Sequence, residues 1–205
     1  MCYVIVTGRS LFWTLMSLSA VLAMFSALMT PRWLAGPPTS EDIENATALH
    51  GKPNWEDFNF DGLATLSSTS PDCWKAAFFF LALGLAVMTA TVVAALIGCC
   101  VQSVGKKSIF DLAGVAQSIA GIMYLLGMIL YVAGWGSSKI QGLCGDEAVP
   151  FYLGNCSLGW ASYLAVLGVL LTFASAVFSS QAEKSTASDK VQDQINEGKT
   201  LICLA

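Results

Sequence analysis

The sequence predicts an all-α membrane protein built on four transmembrane helices. Three observations carry that prediction. The mean hydropathy is +0.64, and 55% of the 205 residues are hydrophobic. Only 12% are charged, about half of the roughly 25% found in soluble domains. The charges are also segregated, leaving four long runs without Asp, Glu, Lys or Arg.

Crossing about 30 Å of hydrocarbon at 1.5 Å per residue takes about 20 apolar residues. The four runs meet that length: Leu11–Met29, Ala76–Val104, Leu112–Trp135 and Leu158–Ser180. Each must be helical, because no backbone N–H or C=O can go unpartnered in lipid. The first run follows Arg9 but exceeds the 7–15 residues of a signal-peptide core, so it is expected to be retained. The spans divide the rest of the chain. Residues 1–10 form an N-terminal segment and residues 30–75 a large polar, acidic loop. A short link covers 105–111, a second loop covers 136–157, and a polar tail covers 181–205. Ser188 stands where it could cap a short tail helix ending near Gly198.

Orientation follows from the loops. Lys106 and Lys107 in the short link, with Arg9, Lys184, Lys190 and Lys199, give a mild positive bias to one side, which reads as cytoplasmic. Asn45-Ala46-Thr47 on the other side is an N-glycosylation sequon, meaningful only in the lumen. Both termini are therefore expected in the cytoplasm, with the protein a multi-pass resident of the plasma membrane. Cys144 and Cys156 share the sequon's oxidising compartment and read as a disulfide. A metal site needs about four Cys or His ligands, and the loop has no further Cys and no His. A redox pair would favour Cys-x-x-Cys spacing. Cys73 has no evident partner on that side. Cys99 and Cys100, at the cytoplasmic end of span two, are candidate palmitoylation sites; equally, they read as small apolar packing residues.

Small residues recur at every fourth place in span two: Ala82, Ala86, Ala90, Ala94 and Gly98. In lipid, close packing drives helix association. Ala86, Ala90, Ala94 and Gly98 are therefore expected to close the bundle from inside; a docking face for a partner's helix is the other reading. Span three has Gly114, Ser118 and Gly121, and span four has Ala161, Ala165 and Gly168. Gln117 is expected to hydrogen-bond between helices. Trp33, Trp74, Trp135 and Trp160 fall near the same ends of the four spans, as an interfacial belt would.

The segments "MCYVIVTGRSLFWTL", "CCVQSVGKKSIFDLAGVAQSIAG", "LYVAGWG", "CSLGWA" and "FSSQAEKSTASDKVQDQINEGKTLICL" resemble the lipoma HMGIC fusion partner-like tetraspan family, part of the claudin-like group. The resemblance covers all but the middle of the first loop. It implies a left-handed four-helix bundle with a small extracellular β-sheet from the first outer loop. Claudin-like loops carry Trp, Gly-Leu-Trp and two cysteines. Here Trp33 is present, Gly62-Leu63 is followed by Ala64, and Cys73 stands alone, so the sheet is expected to be incomplete.

The resemblance also implies a non-enzymatic accessory protein that supports trafficking or assembly of a partner channel or receptor. The alternative is a claudin-like junction or adhesion protein. A transporter or membrane enzyme would place paired ionisable residues at mid-membrane, and the spans have none. No catalytic, cofactor-binding or metal residues are expected, and no basic cluster with aromatics suggests nucleic acid. The expected partners are the lipid bilayer, another integral membrane protein and a further copy of the chain.

Overall fold

A computed structural model of the chain describes residues 4–30, 32–36, 72–98, 103–104, 107–197 and 201–204. Four long helices dominate: α1 (Gly8–Met29), α2 (Asp72–Gly98), α3 (Ile109–Ala133) and, after a short helix α4 (Ser138–Cys144), α5 (Trp160–Thr186). Each of the four is long and apolar enough to cross a membrane. A tail helix, α6, spans Asp189–Asn196. Three two-stranded ribbons complete the described residues. β1 (Val4–Thr7) pairs in parallel with β6 (Leu201–Leu204), β2 (Leu34–Ala35) antiparallel with β5 (Ser157–Leu158), and β3 (Ser103–Val104) antiparallel with β4 (Lys107–Ser108). The fold is a four-helix bundle with small sheets.

All four helices differ in extent from the apolar runs, the second and fourth most clearly. Ala76–Val104 is not one helix: α2 begins earlier, at Asp72, and ends at Gly98, and Val104 lies in a ribbon with Lys107. The fourth run starts late and overshoots. Leu158 is in β5, and α5 continues to Thr186, because nothing between Ser180 and Thr186 breaks a helix once it is begun. At the start of α1, Ser10 N donates to Thr7 Oγ1 (3.2 Å) and Thr7 N to Ser10 Oγ (3.0 Å). This is a reciprocal capping box with Ser in the usual Glu place.

Buried residues on the long helices recur at alternating steps of three and four. On α1 the series is Ser10, Trp13, Ser17, Ala20, Met24 and Ala27; on α2 it runs Trp74, Ala77, Leu81, Gly84, Met88, Thr91 and Ala95. On α5 it is Ala161, Ala165, Gly168, Thr172, Ser175, Ser179 and Ala182. A sustained seven-residue repeat goes with left-handed helix packing.

The chain divides into two compact units, and each long helix contributes to both. The first comprises Met1–Ala23, Leu81–Leu125 and Leu167–Ala205. Its interior sets small residues against the large buried side chains Trp13, Tyr124 and Met88. The Tyr124 ring lies over Gly84, where a Cβ would come within 2.8 Å of it, and the Phe173 ring covers Gly121 in the same way. Ser179 fills the space beside Gly114. Trp13 meets Phe110 edge-on at 5.3 Å, and Thr7 Oγ1 and Ser185 Oγ hydrogen-bond at 2.8 Å.

The second unit comprises Met24–Phe80 and Leu126–Val166. Its core is aromatic. Tyr131 stacks on Trp74 at 5.8 Å and meets Trp33 at 4.9 Å and Trp135 at 6.0 Å edge-on. Two indoles are satisfied by backbone: Trp33 Nε1 donates to Ala27 O (2.8 Å) and Trp74 Nε1 to Tyr131 O (3.2 Å). The expected tryptophan belt is therefore corrected. Trp33, Trp74 and Trp135 are buried and only Trp160 is exposed, because Tyr131 gives three large rings a common partner and their burial excludes far more surface than an interfacial position. Gly159 lies against the Arg32 carbonyl, where no side chain fits. That approach lets Gly159 N and Ser162 Oγ both donate to Trp33 O, at 2.8 and 2.7 Å.

Candidate functional site

The candidate surfaces are the face of α2 that the bundle leaves uncovered and the bridged loop between α4 and β5. Among the described residues, no three His, Cys, Asp or Glu side chains stand together as a metal site requires.

On α2 the expectation is overturned. Ala86, Ala90 and Ala94 are exposed, and the buried seam passes instead through Gly84, Met88, Thr91 and Ala95. Ala86 follows Gly84 by two residues, about 200° around the helix. Both faces of α2 are apolar, so hydrophobicity cannot choose between them in lipid. Shape chooses: Gly84 leaves the hollow that receives Tyr124, and an alanine stripe offers none so deep. Gly98 is the last residue of α2. Cys99 and Cys100 lie outside the described residues, as does Asn45.

The stripes on the other spans face inward except at Ser118, which is half-buried. Gly114, Gly121, Ala161, Ala165 and Gly168 are buried. Gln117 is fully buried and bridges α3 to α1. Trp13 Nε1 donates to Gln117 Oε1 at 3.3 Å, and Gln117 Nε2 donates to Ser17 Oγ at 2.9 Å. One amide thus satisfies an indole and a hydroxyl that α1 would otherwise bury alone.

Cys144 and Cys156 are joined by a disulfide, with Cα atoms 5.1 Å apart. The loop they close is tightly made. Asn155 N donates to Cys144 O (2.9 Å), Ala148 N to Gly145 O (3.0 Å) and Gln141 Nε2 to Ala148 O (3.1 Å). Gly145 at φ +93° and Gly154 at φ +61° supply the left-handed backbone that side chains resist. At Gly154 a Cβ would also press on Cys144 O at 2.8 Å. Cys73, on the first turn of α2, is a free thiol and exposed. The turn at the far side of the loop is signalled by Pro150 at its second place, but the next residue is not: Phe151 adopts φ +67°, where a turn ordinarily uses Gly or Asn.

The family model for lipoma HMGIC fusion partner-like proteins matches residues 9–181. The chain belongs to that family. Its relatives in the LHFPL group include tetraspan subfamily member 2a of Danio rerio, 41% identical over 224 residues, with all of both chains covered. Tetraspan subfamily member 2 of Homo sapiens is 41% identical over 227 residues, again with all of both covered. Member 3 of Danio rerio is more distant, 30% identical over 105 residues, which is half of this chain and 46% of that one. The two full-length alignments are longer than the 205 residues of this chain, so these LHFPL relatives carry residues that it lacks. This LHFPL protein is accordingly a multi-pass membrane protein of tetraspan type.

Proposed function

We infer that the protein is a non-enzymatic accessory or scaffold subunit of the plasma membrane, with both termini in the cytoplasm. In this reading it associates with another integral membrane protein, a channel or receptor, and supports its assembly or trafficking. The supporting observation is the outward stripe Ala86, Ala90 and Ala94 on α2. Small residues let a neighbouring backbone approach closely, and in lipid such packing is what drives helices together. A bundle that closes without this stripe leaves it free for a helix from outside. The deciding experiment is affinity purification of the full chain from native membranes. Recovery of a stoichiometric channel or receptor supports the accessory reading. Self-assembly across opposed cells, with no such partner, would replace it with a junctional role.

A further inference from the structure

Phe151 is the one non-glycine with positive φ among the described residues. A bulky residue in that region is a real outlier and persists only where its surroundings over-determine it. Here they do. Val149 N donates to Tyr152 O (3.0 Å) and Tyr152 N to Val149 O (2.9 Å), which closes a tight turn. Pro150 sits against Gly136, and the Cys144–Cys156 bridge holds the ends of the loop. Yet the side chain so constrained is not packed away. Phe151 is 63% exposed and Tyr152 56%. The strained backbone displays an apolar tip.

Where the tip is displayed is set by one hydrogen bond. Phe151 N donates to Val132 O at 3.3 Å. Val132 is the next-to-last residue of α3, so its carbonyl is one of those that a helix end leaves without an intrahelical partner. The turn therefore caps the end of a membrane-crossing helix. The chain from Ala148 to Val166 holds no charged residue. The first turn of α5, in that same stretch, exposes Trp160 and Tyr163. Amphipathic rings of this kind favour the headgroup level of a bilayer.

We propose that the Val149–Tyr152 turn is a membrane-surface anchor, wedged at the headgroup–acyl boundary beside α3, with Phe151 as the inserted side chain. It immobilises the bridged loop against the bilayer. The test uses the full chain in phosphatidylcholine vesicles, with the five cysteines outside the bridge replaced by alanine and a nitroxide attached at Phe151→Cys. Tyr152→Cys is a second labelled site should the first fail to fold, and exposed Asp146→Cys is the aqueous reference. Mass analysis confirms the Cys144–Cys156 bridge in each. Electron paramagnetic resonance saturation then compares collision with oxygen, which partitions into lipid, against a water-soluble nickel chelate. The expected result is oxygen access exceeding nickel access several-fold at residue 151 or 152, and the reverse at 146. Equal, water-like behaviour at the turn and at 146 would overturn the proposal. Shielding from both probes would overturn it too, by showing the tip covered by protein.

Discussion

Trp13 Nε1 on α1 donates to Gln117 Oε1 on α3 across 3.3 Å, between two fully buried side chains. Gln117→Leu leaves the indole N–H unmet, at a cost of about 1–3 kcal/mol. Trp13→Phe strands the amide oxygen in turn. The expected outcome is a lower thermal midpoint in detergent for each single variant. The double variant should fall by less than the sum, with a coupling of about 0.6 kcal/mol, the average for hydrogen bonds between membrane helices, and no more than about 1.7 kcal/mol. Simple additivity would show that the pair is not coupled.

Two substitutions of small residues should behave oppositely. Gly121→Leu drives bulk into the Phe173 ring, where even a Cβ sits at 2.8 Å. Overpacking typically costs about 1–3 kcal/mol, and surface amount should drop. Ala90 is exposed, so Ala90→Leu is expected to fold and traffic normally while reducing co-purification of a membrane partner. Equal damage to folding from both would mean that the α2 stripe is packed inside after all.

Cys144→Ser or Cys156→Ser opens a loop of twelve residues' separation, worth about 3 kcal/mol in the chain-entropy account. It also releases the ends of α4 and β5. Both variants should be retained inside the cell and show a lowered midpoint. Normal delivery of either would mean that the loop's hydrogen bonds suffice without the bridge.

Topology can be checked from Cys73 and Asn45. Cys73 is exposed at the start of α2, on the side proposed to be extracellular. A membrane-impermeant maleimide should label intact cells expressing the protein and should not label Cys73→Ser. Glycosidase treatment should increase the gel mobility of the wild-type chain and leave Asn45→Gln unchanged. Labelling of intact cells that persists in Cys73→Ser, through Cys2 or Cys203, with no mobility shift, would place the termini on the opposite side.

The sequence by itself determined the number of long apolar helices and the pairing of the loop cysteines. Four charge-free runs of membrane-spanning length admit no other backbone in lipid. Cys144 and Cys156 fall in one short loop with no competing ligand. The bond from Gln117 to a neighbouring helix was legible for a similar reason: a lone amide in an apolar span must find a partner. The tertiary structure alone decided which face of α2 is buried, and that three tryptophans turn inward onto Tyr131. In water, burying apolar surface would orient a helix and leave a polar face behind. In a bilayer every face of α2 is equally at ease, so orientation depends on which hollow fits which ring. Gly84 and Tyr124 stand 40 residues apart, and no periodicity within one helix encodes a match between two. Phe151 follows the same logic. Its left-handed backbone is imposed by Val132, Gly136 and the bridge around it, not by its own preference.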